Sequence, residues 1–391
     1  MTIEGSADNP AAPARVRLGM VGGGEGAFIG AVHRIAARLD DRFELVAGAL
    51  SATAEKSLRS ARALGLARAY EDFDTMAREE GARADGIEAV AIVTPNDQHV
   101  PVAEAFLRAG IHVICDKPLA TRLADAKRLQ ALAAHSGRLF AVTYNYSGYP
   151  MVRHARRMVR DGALGELRVL QVEYPQDWLT EALEASGQKQ AAWRTDPARA
   201  GAGGCIGDIG THAFHLAGFV SGLEPTELCA EMSRFVPGRA LDDNVQILLR
   251  YAGGARAALW ASQVAPGNEN GLRLRLYGSR GGIEWRQEHP NQLHWSPFGE
   301  ATQIISRGTA SANGDAARVT RLPSGHPEGY LEGFANLYRE IAEAIVQRRG
   351  GDGAAPAAEA DFPTLDDGVR GMAFIEAAVA SAAQGACWVK L

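Results

Sequence analysis

From residue 15 onward, short apolar runs alternate with stretches whose apolar residues recur every three or four positions. The runs "VRLGMVG", "FELVAGAL", "GIEAVAIV", "IHVIC" and "LFAV" are brief, rich in Val and Ile, and bounded by Gly or Pro. That pattern predicts strands buried on both faces. Between them, "GAVHRIAARL", "AEKSLRSARALG", "HVPVAEAFLRAG" and "LADAKRLQALAAHSG" each carry one apolar stripe, and the last three close on glycine, as helices do. Alternating strands and helices predict a doubly wound parallel sheet over residues 15–148. Residues 1–14 lack an apolar core segment, so they read as a disordered lead-in and not a signal peptide.

After Tyr149 the pattern changes. A helix, "MVRHARRMVRDGALG", is followed by strand runs with no helix between them: "LRVLQVEYP", "ELCAEMSRF", "DNVQILLRYAGGARAALWASQ" and "GLRLRLYGSRGGIEWRQ". The glycines in "YAGGAR" and "YGSRGG" suit hairpin turns. Residues 149–391 therefore predict a second, α+β domain with a mostly antiparallel sheet. Two late helices, "GYLEGFANLYREIAEAIVQRR" and "DDGVRGMAFIEAAVASAAQG", are expected to pack back across both parts. The Gly/Ala/Ser-rich segments 300–325 and 349–362 read as loops.

Composition narrows the classes. The 391 residues are 46% hydrophobic and 22% charged, with a net charge of −5 and no dense basic block. That argues against nucleic acid or an acidic membrane surface as partner. No stretch reaches bilayer-spanning length. Four scattered cysteines without a CxxC pair fit a reducing cytoplasm better than disulfides or a thiolate metal site.

The chemistry gathers at strand ends. In "VGGGEGAFIG", Gly22 and Gly24 match a dinucleotide-binding turn, with Gly30 taking the third glycine's place and Phe28 and Ile29 opening the helix that receives the pyrophosphate. At the end of the second strand, Ser51 stands where an acid would hold the adenosine ribose, and Lys56 follows. A hydroxyl and a cation suit a 2′-phosphate, which favours NADP over NAD. "TPNDQH" brings Thr94, Pro95, Asn96 and His99 to the same edge, and "CDKPL" brings Asp116 and Lys117, with Pro118 restricting the lysine's backbone. In "AAWRTDP", Trp193 and Arg194 are placed to reach nicotinamide or substrate. Tyr144, Asn145, Tyr174, Gln176 and Asp177 end strands that supply hydroxyl-binding groups, while His326 reads as solvated.

One stretch, "GDIGTHAFH", concentrates Asp208, His212 and His215. As i and i+4 of a helix, Asp208 and His212 would project side by side. An imidazole accepts a hydroxyl proton near neutral pH, and a carboxylate orients it. A lysine nearby stabilises developing negative charge on oxygen. A three-ligand metal site on the same helix face and a merely packed histidine are the competing readings; the absence of a second His/acid cluster turns the balance against metal. His215 is divided between substrate contact and packing.

In order and spacing, the glycine turn, "TPNDQH", "CDKPL", "AAWRTDP", "GAGGCIGDIGTH" and "DDGVRGMAFIEAA" together resemble the glucose–fructose oxidoreductase / inositol dehydrogenase / MocA (Gfo/Idh/MocA) family, over nearly the whole chain. The resemblance implies a Rossmann domain joined to a domain built on a large open sheet that makes a homodimer or homotetramer. It implies hydride transfer between nicotinamide and a hydroxyl or carbonyl of a sugar, sugar derivative or cyclitol. The family's Glu-Lys-Pro maps onto Asp116-Lys117-Pro118, and its D-x-x-x-H pair onto Asp208 and His212. An acid often found three residues later is His215 here, so substrate identity is where this chain departs. Some relatives hold the dinucleotide tightly and cleave glycosidic bonds through transient oxidation; a non-catalytic sensor would be expected to lose the Lys and His that this chain keeps.

Overall fold

The computed structural model describes residues 15–312, 314–349 and 361–391. The predicted lead-in 1–14 and residues 350–360 of the predicted second loop lie outside them. Six parallel strands form the first sheet: β1 (Val16–Gly22), β2 (Phe43–Ala49), β3 (Arg68–Ala69), β4 (Ala89–Val93), β5 (His112–Cys115) and β6 (Phe140–Val142). Their order is β3-β2-β1-β4-β5-β6. The order reverses beside β1, so the carboxyl ends of β1 and β4 leave a crevice between them. Every residue of β4 and β5 is buried, the outcome of helices on both faces. Those helices are α1 (Phe28–Leu39), α2 (Ala54–Ala63), α3 (Phe73–Ala82), α4 (His99–Arg108) and α5 (Leu123–Ser136).

The second sheet has nine strands: β7 (Leu167–Pro175), β8 (Pro225–Ser233), β9 (Asn244–Tyr251), β10 (Arg256–Ser262), β11 (Arg273–Gly278), β12 (Gly281–Arg286), β13 (Gln292–Pro297), β14 (Gln303–Ser306) and β15 (Val389–Lys390). Only the β7–β10 pairing is parallel; the others are antiparallel. One face packs under α6 (Pro150–Arg160) and α9 (Thr211–Ser221), which also pack on each other, while the short α7 (Lys189–Arg194) packs on α8 (Pro197–Ala200), which lies against the turn that follows β4. The inward residues Leu170, Val172, Ile247, Leu249, Leu259 and Leu274 join Leu216 and Val220 of α9 in one core. The segment expected as a loop over 300–325 contains β14, which pairs with β13, and a one-turn helix, α10 (Asp315–Arg318). Its alternation is too short to register as a strand without the β13 edge that captures it.

The late helices are α11 (Tyr330–Arg348) and α12 (Leu365–Ala383). Phe334, Leu337, Tyr338, Ile341 and Ile345 of α11 pack with Val16, Leu18, Met20 and Val32 beneath the first sheet. His33 of α1 bonds the Tyr338 hydroxyl at 2.8 Å. Helix α12 instead carries Met372, Phe374 and Ile375 into the core shared with α9.

Candidate active site

The β1–α1 turn is built for close approach. Gly22 and Gly23 adopt φ of +79° and +71°, which side-chain-bearing residues rarely take. A Cβ on Gly24 would meet the Leu50 carbonyl at 2.6 Å, and one on Gly30 would overlap the backbone of Gly23. Gly30 therefore fills the third glycine's role by letting α1 pack against the turn. The α1 N-terminus has no side-chain cap and no acid in its first turn, leaving its N–H groups for an anion. These features fit a dinucleotide pyrophosphate.

The turn opens on a cleft of about 610 Å³. Gly22, Gly24, Ile29, Ser51, Lys56, Thr94, Pro95, Asn96, Asp116, Lys117, Trp193, Arg194 and Asp208 all line it, uniting distant parts of the sequence. Phe28, Gly30, His99 and the expected acid–base His212 do not. The Phe28 ring, 69% exposed, lies 6.5 Å from Tyr330 at the start of α11. His99 is a buried strut, bonded to the carbonyls of Pro118 (2.7 Å) and Thr94 (2.9 Å), so both its nitrogens are committed to backbone.

Two strand ends and a lid-like helix meet at the inner wall. Lys117 follows β5, its cis peptide to Pro118 and its N–H bond to Asp116 Oδ1 (2.9 Å) setting the backbone. Its ammonium reaches Asp208 Oδ1 at 3.2 Å and also donates to the Asp208 carbonyl. Arg194, stacked 4.2 Å over the Trp193 ring, reaches the same Oδ1 at 3.3 Å. Gln263 at the end of β10 donates to Oδ2 at 2.8 Å. Burial alone would raise the Asp208 carboxyl, but Lys117 and Arg194 outweigh it and hold it well below the usual carboxylate range.

The expected Asp208–His212 pairing is not formed. Residues Ile206–Gly210 make a π turn in which Thr211 N–H bonds back to Ile206. Both oxygens of Asp208 are already taken by Lys117, Arg194 and Gln263. Among the described residues, no hydrogen bond joins Asp208 to the His212 ring. His212 lies deeper, boxed by the rings of Tyr146 (5.0 Å), Tyr144 (5.7 Å) and Tyr174 (6.2 Å). Burial, with the Lys117 charge adding to it, pushes its imidazole well below the ordinary range, so the ring is held neutral, with one nitrogen lone pair unprotonated.

His215 belongs to a different place. Its ring stacks on Tyr144 at 4.3 Å and borders a second cavity with Phe219, Asp367 and Arg370. One turn along α9 from His212, it shares the Tyr144 ring with that residue but opens on the second cavity instead of the cleft. Among the described residues no three His, Cys, Asp or Glu side chains are grouped to hold a metal. Tyr144 is buried behind the site, bonded to Thr211 at 2.8 Å. Asn145 is buried with its Nδ2 unpartnered. Gln176 meets Asn270 Oδ1 at 2.8 Å, and Asp177 supports a turn through its carbonyl, which accepts from Thr180 N–H at 3.0 Å. His326 is exposed; its carbonyl accepts from Arg307 and its backbone N–H donates to the Pro323 carbonyl at 3.3 Å.

Gln263, Asn270 and Tyr146 were not singled out from the sequence. Gln263 could have been: it is a polar residue ending the apolar run "ALWASQ", the same signal that marked Gln176.

Family models match the chain over residues 16–144 (oxidoreductase family, NAD-binding Rossmann fold) and 152–284 (GFO/IDH/MocA C-terminal domain). An uncharacterized oxidoreductase, YfiI, from Bacillus subtilis is 36% identical, with 96% of each chain covered. A crystal structure of an oxidoreductase from Sinorhizobium meliloti is 54% identical with a TM-score of 0.86, covering 96% of this chain and 100% of that one. An inositol dehydrogenase homolog from Azotobacter vinelandii, complexed with NADH and myo-inositol, is 36% identical with a TM-score of 0.90, covering 96% and 98%. Among the described residues no helix is long and apolar enough to cross a membrane.

Proposed function

The chain belongs to the GFO/IDH/MocA oxidoreductase family, and from that premise we propose that it oxidises a ring secondary hydroxyl of a cyclitol or sugar, or reduces the corresponding ketone. The observation that carries this reading is the anchoring of Lys117, which follows β5 of the first sheet, on Asp208, in the π turn ahead of α9, at the inner wall of a cleft with a dinucleotide-shaped glycine turn. The bound nicotinamide supplies the hydride acceptor. The chain's own residues manage the proton and the charge. His212 takes the hydroxyl proton, Lys117 stabilises the oxygen as charge develops on it, and Asp208 holds the ammonium in place, with Arg194 and Gln263 fixing the carboxylate in turn. The myo-inositol complex of the Azotobacter relative supports a cyclitol as the first substrate to try.

Ser51 and Lys56 at the adenosine end of the cleft support NADP as the preferred cofactor, with NAD accepted. The exposed face of the second sheet supports a homodimer or homotetramer, and the four free cysteines support a cytoplasmic setting. The test is spectrophotometric reduction of NAD and NADP by the purified protein with myo-inositol, other cyclitols and aldoses. Lys117→Ala and His212→Ala are each expected to lower kcat by about 10²-fold or more. Turnover unchanged in both variants would remove these residues from the chemistry, and no turnover with any ring polyol would overturn the substrate class.

A further inference from the structure

With Asp208 occupied by Lys117, Arg194 and Gln263, the His212 ring needs another partner. A hydroxyl carries one proton, so a chain of hydroxyls ending on a pure acceptor has a fixed direction. Asn270 supplies that end. Its Oδ1 accepts from Gln176 Nε2 at 2.8 Å and from the Tyr174 hydroxyl at 2.7 Å. The Tyr174 proton is thereby committed, so its oxygen accepts from the Tyr146 hydroxyl at 2.5 Å. Tyr146 then has no proton to give, and its oxygen meets any further neighbour only as an acceptor. The complementary group is adjacent. Tyr146 is the nearest tyrosine ring to His212, and His212 Nδ1 is buried without a hydrogen-bond partner. A buried Nδ1–H without an acceptor is unfavourable, which favours any arrangement that supplies one.

We propose that Tyr146, its proton fixed by Tyr174 and Asn270, is a positioning residue for His212. Its oxygen is the acceptor toward which the Nδ1–H turns, so Nε2 keeps the lone pair that receives the substrate proton. When the substrate O–H bond breaks, that proton becomes the new Nε2–H, and the imidazolium's Nδ1–H already has its acceptor. The inference rests on His212 as the acid–base, but its test does not depend on turnover.

The tautomer of His212 is read by nitrogen NMR on protein labelled at histidine, with the resonance assigned by its loss in His212→Gln. The wild-type protein is expected to hold His212 as the Nδ1–H form. Tyr146→Phe, which removes the acceptor, shifts the ring toward Nε2–H. Tyr174→Phe does the same although Tyr146 remains, because the released Tyr146 proton now points at Nδ1. Asn270→Leu behaves like Tyr174→Phe, whereas Asn270→Asp, still an acceptor, keeps the wild-type tautomer. In turnover, Tyr146→Phe is expected to lower kcat about tenfold with KM within about twofold. An Nε2–H ring in the wild type, or a tautomer indifferent to both tyrosine variants, would overturn the inference. A tautomer that responds as described in a protein that oxidises no polyol would leave it standing and remove the proposed activity instead.

Discussion

At the scale of single residues, the site is organised around one carboxylate with several donors. Asp208 takes Lys117 and Arg194 on one oxygen and Gln263 on the other, so its hydrogen bonds go to these donors and not to imidazole. Under the proposed NADP preference, charge sets the discrimination at the other end of the cleft. Ser51 carries no charge where a carboxylate would repel a 2′-phosphate, and Lys56 stands on the same wall. Ser51→Asp is therefore expected to shift the ratio of kcat/KM for NADP over NAD by about tenfold or more toward NAD, which corresponds to about 1.4 kcal/mol of discrimination. Steady-state kinetics with both cofactors would check it, and an unchanged ratio would place the 2′-position out of reach of residue 51. Which residues gather at the cleft was legible in part: Lys117, Asp208, Trp193 and Arg194 line it, whereas His212 sits behind it. Which of them touch was not. The Asp208–His212 hydrogen bond is absent because Lys117, Arg194 and Gln263, distant or uninformative in the sequence, take both carboxylate oxygens.

At the scale of elements, alternation along the second sheet separates its two faces. The inward positions of β7, β9 and β10 are buried, whereas Val169, Leu248 and Tyr277 are 40%, 53% and 43% exposed on the other side. Tyr277 pairs with Val169, and Leu248 pairs with Ala258, so these residues share one face. Around them Arg273, Arg275, Glu173 and Glu284 pair across strands, giving an apolar patch a polar frame. Association of two such faces is expected to give a dimer or tetramer in light scattering. Leu248→Asp, which places a charge at the patch, should move the protein toward monomer while leaving the cleft intact. A wild-type monomer at micromolar concentration would refute the assignment. This face was readable from period-two alternation alone. The short β14 was not, since four residues pair only because β13 presents an edge.

At the scale of the whole molecule, burial of histidines links folding to pH. Burial pushes His33, His112 and His215 each down to about 4, with Arg34, Arg138 and Arg370 among the charges that add to it. The geometry agrees: His112 Nδ1 accepts a backbone N–H from Leu139 at 2.9 Å, which requires the neutral ring. His33 sits where α11 closes over the first sheet, bonded to Tyr338. In the unfolded chain these rings titrate near 6.5. Between 6.5 and 4 the unfolded state binds more protons than the folded one, so stability is full above 6.5 and is lost as pH falls toward 4. Each ring contributes at most about 3 kcal/mol to that loss. Asp242, pushed up to about 6 chiefly by burial, acts oppositely over 3.8 to 6, but it is one group against three. The thermal midpoint is thus expected to fall by several degrees or more from pH 7 to pH 4.5. His33→Gln removes one of the titrating rings and keeps a polar side chain beside Tyr338. It should lower the midpoint modestly at pH 7 and make the decline toward pH 4.5 shallower than in the wild type. Equal slopes in the two proteins, followed by calorimetry across that range, would mean that the interface carrying His33 opens to water before the chain unfolds.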